Sequence, residues 1–105
     1  MTVIAAGERW GAGEGPLHPC FEDLVGAGAV IAALQAAAPS PEAVAAAAAF
    51  RAAASDLLSQ LHACSSGKEL RQRGLQRDIV IAPDCSTRAT AAPVLQSGAF
   101  VATRA

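Results

Sequence analysis

The chain has 105 residues, enough for one domain, and a chain of that size buries a smaller share of its surface than a full enzyme does. Hydrophobic residues make up 52% of it, but Ala fills roughly a quarter of all positions and adds little burial per residue, so the apolar count points to helix more than to a thick core. A net charge of −1 with scattered Lys and Arg excludes the electrostatic footprint of a nucleic-acid binder, and the three cysteines, Cys20, Cys64 and Cys85, lack the even number of a disulfide framework and the spacing of a zinc site.

Met1-Thr2-Val3-Ile4 carries no basic n-region and no cleavage pattern, and reads as the start of a cytoplasmic chain. Thr2 to Ala6 is β-prone and closed by Gly7, which predicts a central strand. The charged loop Glu8-Arg9-Trp10 would then lie at that strand's carboxyl end, where open α/β sheets bind ligands. Trp10 is expected to pack this loop onto a helix, with one N–H to satisfy. Gly11, Gly13, Gly15 and Pro16 make a loop that leads to His18, a lone histidine.

A helix is expected from Pro19, with Glu22 and Asp23 near its positive end and an apolar face of Phe21, Leu24, Val25, Gly28, Ile31 and Ala32. The apolar segment from Leu24 to Ala33 and its Ala-rich extension are too short and too glycine-rich for a bilayer span. Gly26 and Gly28 each cost about 1 kcal/mol of helix propensity against Ala, and close approach to a neighbouring backbone is the expected return. Leu at position 28 should overpack such a contact, whereas Ala adds only one methyl group.

Ser40, Pro41 and Glu42 predict an N-cap, N1 and first turn, opening an Ala-rich helix with Val44, Phe50, Leu57, Leu58 and Leu61 as its stripe. Ser55-Asp56 is a point where a second helix can restart, and His62, in that helix, is expected to face solvent or hold a hydrogen bond. A short capped helix fits between Ser65-Ser66-Gly67 and Gly74. Ile79 to Ala82 reads as a second buried strand flanked by Asp78 and Asp84, and Val94-Leu95 with Ala99 to Val101 around Ser97-Gly98 reads as a hairpin or edge pair. The class is α/β, with helices layered on a small mixed sheet, thin enough to expect missing partners.

Several of these residues fit phosphate-ester chemistry, which needs neutralised phosphoryl oxygens and an activated nucleophile. Glu8 has the ligand type that Mg²⁺ takes, and Arg9 can clamp a phosphate or sulfonate bidentately; local ion pairing accounts for the same two residues. Cys64-Ser65-Ser66-Gly67 at a helix start is a candidate anion cradle, with plain capping as the alternative reading of Ser66 and Gly67. Glu22 and Asp23 suit capping as well as metal binding, and adjacent helix positions point about 100° apart, so one of them is expected to be structural.

The run Ala5-Ala6-Gly7-Glu8-Arg9-Trp10, continued by Pro19-Cys20-Phe21-Glu22-Asp23-Leu24-Val25-Gly26-Ala27-Gly28-Ala29, resembles the 2-phosphosulfolactate phosphatase family, Mg²⁺-dependent enzymes of coenzyme M biosynthesis. The likeness runs from about Val3 to about Val101 and matches the second half of such an enzyme, which implies half of a larger three-layer α/β/α fold. It implies hydrolysis of 2-phosphosulfolactate to sulfolactate and phosphate, with Glu8 and Arg9 catalytic, Arg9, Ser66, Gly67 and Lys68 on the phosphate, and Mg²⁺ on Glu8 and one or both of Glu22 and Asp23. His18 stands where the family more often has Arg, which weakens a charge-based role there. The Asp and Arg motif expected of the first half has no counterpart, so the resemblance also implies a complementing N-terminal half or a homo-oligomer. A non-catalytic α/β module that works through a partner chain or self-association is the competing expectation, because unpaired strand edges invite cover.

Overall fold

The computed structural model describes residues 1–11, 13–84 and 91–104; Cys85, one of the three cysteines read from the sequence, lies outside them. Among the described residues the order is β1 (Glu8–Arg9), β2 (Leu17–His18), α1 (Phe21–Leu34), α2 (Pro41–Ala53), a 3-10 turn (Ala54–Asp56), α3 (Leu57–Ala63), α4 (Ser65–Gln72), α5 (Gln76–Ile81), β3 (Ala91–Gln96) and β4 (Ala99–Arg104). Helices and strands are both present, as the α/β reading requires. The strands form two separate antiparallel pairs, β1 with β2 and β3 with β4.

Two expected strands take other forms. Thr2 to Ala6 has no regular structure, and Ile4 is 82% exposed; a β-prone run without a neighbouring edge has no ladder to join. Ile79 to Ile81 belongs to α5, entered through the Asp78 N–H to Leu75 carbonyl bond and closed by the Ala82 N–H to Asp78 carbonyl bond. Short apolar runs do not separate strand from buried helix by periodicity alone. This short helix buries Ile79 and leaves Val80 and Ile81 outside.

The helix signals at Ser40 hold in detail. Ser40 Oγ accepts the Ala43 N–H at 3.3 Å, and Pro41 occupies the first turn, where no N–H is needed. Capped in this way, α2 packs along α1. Val25, Ala27 and Gly28 of α1 are buried, as are Ala46, Ala47 and Ala53 of α2, while Leu24 is largely exposed. Gly28 sits where any Cβ would meet the Ala46 carbonyl, so the close approach expected of this glycine is present. Gly26 faces open space, and the expectation fails there.

The predicted restart at Ser55-Asp56 appears as the 3-10 turn leading into α3. Cys64 ends α3 and caps α4, its Sγ accepting the Gly67 N–H at 3.4 Å. The N-cap of this helix is therefore Cys64, one residue before the serine pair. His62 departs from expectation, for its Nδ1 is buried without a hydrogen-bond partner among the described residues. The β3–β4 hairpin matches the reading of residues 94–101: Ser97 and Gly98 both have positive φ, 50° and 82°, the requirement of a two-residue turn whose twist suits the strands. No helix is long and apolar enough to cross a membrane among the described residues.

Candidate functional site

The site is built on the β1–β2 ribbon. Glu8 lies opposite His18 and Arg9 opposite Leu17, and the ribbon continues through the Trp10 N–H to Pro16 carbonyl bond at 3.1 Å. Side chains alternate along a strand, so Glu8 and Trp10 share the face that carries His18. The Trp10 indole accordingly stacks on the His18 imidazole, with centroids 4.0 Å apart and planes inclined by 25°. This replaces the expected packing of Trp10 onto a helix; the indole is 59% exposed.

The N-terminus of α4 faces this ribbon across a cleft of about 440 Å³. Glu8, Arg9, Trp10 and His18 line one wall; Ser65, Ser66, Glu69 and Arg73 line the other. Ser66, Glu69 and Arg73 are three and seven positions apart, the spacing of one helix face. Arg9 Nη1 donates to the Gly15 carbonyl at 3.1 Å, which fixes its stem against the loop and leaves other guanidinium donors free of that bond. Arg73 reaches Glu69 at 3.7 Å in an exposed i,i+4 pair. The first-turn amides of a helix have no intrahelical acceptor, so Ser65 and Ser66 present N–H groups at the end of α4 that favours anions.

Cys20 lies below the cleft, 5% exposed. Burial pushes its thiol pKa up, the Glu22 and Glu8 carboxylates add to that, and a hydrogen bond with Ser66 pulls it partly back. Its ligand atom lies within 4.8 Å of those of Glu8 and His18, which sets Cys20 against the ribbon. Glu22 turns to the far side of α4, where its Oε2 accepts from Cys64 Sγ at 3.8 Å beside a small cavity of about 90 Å³ that Gly67 also lines. Asp23 is engaged elsewhere, its Oδ2 taking the Gly7 N–H at 2.7 Å and thereby tying the entry of β1 to the first turn of α1.

Of the residues singled out in the sequence, Glu8, Arg9 and Ser66 come together at the cleft. Gly67 is buried behind it, with the Leu61 carbonyl where a side chain would be, and Lys68 is exposed on α4 and is not among the cleft's lining residues. The carboxylates Glu8, Glu22 and Asp23 do not form a common cluster among the described residues. The group that does is Glu8, His18 and Cys20, whose ligand atoms all lie within 4.8 Å of one another. Mg²⁺ takes oxygen ligands in near-octahedral geometry, and a set with one carboxylate, one imidazole and one thiol does not fit it.

His18, Cys20, Glu69 and Arg73 were missed by sequence reasoning. The ribbon register brings His18 to Glu8 across ten residues of chain, Cys20 follows two positions later within 4.8 Å of both, and that two-residue spacing is the local trace of the pair. Arg73 was findable, because it falls on the helical face that Ser66 begins.

No curated protein and no solved structure matches the chain. The family model described as 2-phosphosulpholactate phosphatase matches residues 2–97, a span that contains the ribbon, α4 and every residue of the cleft, and the chain belongs to that family.

Proposed function

We propose that this cleft binds the phosphate monoester of a small sulfonated hydroxy acid, 2-phosphosulfolactate, and serves its hydrolysis to sulfolactate and phosphate. Membership of the family implies a phosphoric monoester hydrolase. The observation that carries the assignment to this cleft is the meeting of the Glu8-Arg9 ribbon with the Ser65-Ser66 helix start, with Arg73 on the same wall. A substrate bearing phosphate, sulfonate and carboxylate needs several separated cationic or N–H donors. Arg9, Arg73 and the α4 amides supply them from two sides. In this reading Glu8, at the cleft, takes a proton from the attacking water as the phosphorus–ester oxygen bond breaks, and passes it to the departing alkoxide, which leaves as the alcohol.

Phosphate release from 2-phosphosulfolactate, with Mg²⁺ or Zn²⁺ supplied, tests the reading. The expected result is release that Arg9→Ala lowers by about tenfold or more, the effect of losing one charge-assisted contact, with Arg73→Ala acting in the same direction. Absence of phosphate release under both metals would remove the activity from this chain.

A second reading rests on a different observation. Ile4, Leu95, Val80 and Phe100 are 82%, 61%, 58% and 77% exposed. Such surface favours a module that acts through a second copy or a complementing chain. Loss of these exposures on association, without phosphate release, is the outcome that selects it.

A further inference from the structure

The donor set that does not suit Mg²⁺ suits another ion. We propose that Glu8, His18 and Cys20 form a site for a borderline transition-metal ion, with Zn²⁺ as its occupant. The ribbon register makes Glu8 and His18 direct partners, and opposed residues of an antiparallel pair project from the same face. Cys20 follows His18 by two positions and has extended backbone, φ −113° and ψ 140°, so the strand period returns its side chain towards that face.

Geometry is close to what the ion needs. The three ligand atoms lie within 4.8 Å of one another; His18 Nδ1, 3.9 Å from Cys20 Sγ, is also 3.2 Å from the Pro19 carbonyl, a contact it gives up where it, rather than Nε2, takes the ion. Ligands on a tetrahedral Zn²⁺, at bonds of about 2.0 to 2.3 Å, stand roughly 3.5 Å apart, so side-chain shifts on the order of 1 Å bring all three onto one ion. Carboxylate, imidazole and thiolate are each established zinc ligands, and a thiolate selects against hard cations.

The surroundings hold the ligands in place. Trp10 stacks on the imidazole of His18, and Cys20 is buried at 5% exposure. Such outer contacts fix ligand orientation and sharpen affinity. On binding, the Cys20 thiol releases its proton to solvent and its sulfur lone pair forms the Zn–S bond, with no change of oxidation state. Three protein ligands leave the fourth tetrahedral position to water. This site shares Glu8 and His18 with the cleft of the phosphatase reading, but its occupancy is measured with no phosphate ester present, so the two readings fail separately.

The full chain, reduced and freed of metal, is titrated with Zn²⁺ alone by calorimetry and with Co²⁺ as an absorbing substitute. The expected result is one Zn²⁺ per chain, a thiolate-to-Co²⁺ charge-transfer band, and weakening by about tenfold or more in His18→Ala and Glu8→Gln. Those two side chains are not buried, so both variants are expected to keep the parent's thermal unfolding profile. Cys20→Ser is expected to abolish the charge-transfer band, while Cys64→Ser and Cys85→Ser retain it. Failure of the folded parent chain to take up Zn²⁺, or Zn²⁺ affinity unchanged in both His18→Ala and Glu8→Gln, would overturn the site. A band that survives Cys20→Ser would overturn it as well.

Discussion

Gly26 and Gly28 are two residues apart in one helix, share the same propensity cost, and have opposite surroundings. A Cβ at Gly28 would overlap the Ala46 carbonyl oxygen, with the Ala46 carbonyl carbon at 2.7 Å and Phe50 Cβ at 3.0 Å; a Cβ at Gly26 meets nothing within 4 Å. Backbone cannot retreat as the end of a flexible side chain can. Even one methyl at position 28 must therefore push α1 from α2, which corrects the expectation that Ala is tolerated there. Gly28→Ala should lose about 1 to 3 kcal/mol by overpacking, and Gly28→Leu more. Gly26→Ala should gain about 0.5 to 1 kcal/mol from propensity and reduced chain entropy. Urea titration of the three variants checks the order. Equal effects of Ala at the two positions would mean that α1 and α2 are not packed through Gly28.

At the scale of elements, the caps hold the most local information. Ser40 satisfies one of the free amides of α2, and Ser40→Ala should cost about 1 kcal/mol. Glu42 joins the same cap: its own backbone N–H, then the Ser40 side chain, hold its carboxyl below the usual glutamate value of 4.5. A depressed folded-state pKa means stabilisation that is present above the unfolded value and lost as pH falls through the folded one. The contribution of Glu42 is thus complete at neutral pH and disappears in acid below 4.5. An NMR titration should place Glu42 below a free glutamate, and Ser40→Ala should raise it part of the way back. A Glu42 titration unmoved by Ser40→Ala would remove the hydroxyl from the cap.

These caps also explain what was legible in advance. Ser40-Pro41 and Ser97-Gly98 specify their conformations within four residues, so α2 and the β3–β4 hairpin could be read from the sequence alone. Thr2 to Ala6 and Ile79 to Ile81 could not, because strand formation depends on an edge elsewhere in the chain, and for these segments none is paired. The site divides in the same way. Glu8, Arg9 and Ser66 were visible as residue types in suggestive loops. His18 and Cys20 acquire meaning only through the register that sets them beside Glu8.

For the whole molecule the question is what stabilises so thin a core. The buried hydrophobic residues among those described are Cys20, Val25, Ala27, Ala46, Ala47, Ala53, Leu61 and Ile79. Half of them are alanine, and small side chains return little free energy per position. The radius of gyration is 15.2 Å, against about 13 Å for a compact chain of about 100 residues. Leu61 therefore has an outsized share of the burial, and Leu61→Ala should cost about 2 to 4 kcal/mol, a large part of the stability of any small domain. Meanwhile Leu95 and Phe100, paired across β3 and β4, present apolar side chains at 61% and 77% exposure on a two-stranded hairpin, a unit that is marginal in water by itself. Cover by another chain offsets both weaknesses at once. Sedimentation of the purified chain should then give a mass that rises with concentration, and Phe100→Asp should return it to the single-chain value of 10.5 kDa. That substitution lies outside the buried core, so a monomeric Phe100→Asp variant should keep its helical circular dichroism. A parent chain that stays monomeric at every concentration and unfolds cooperatively would show that the sparse α1–α2 and α3–α5 packing suffices alone.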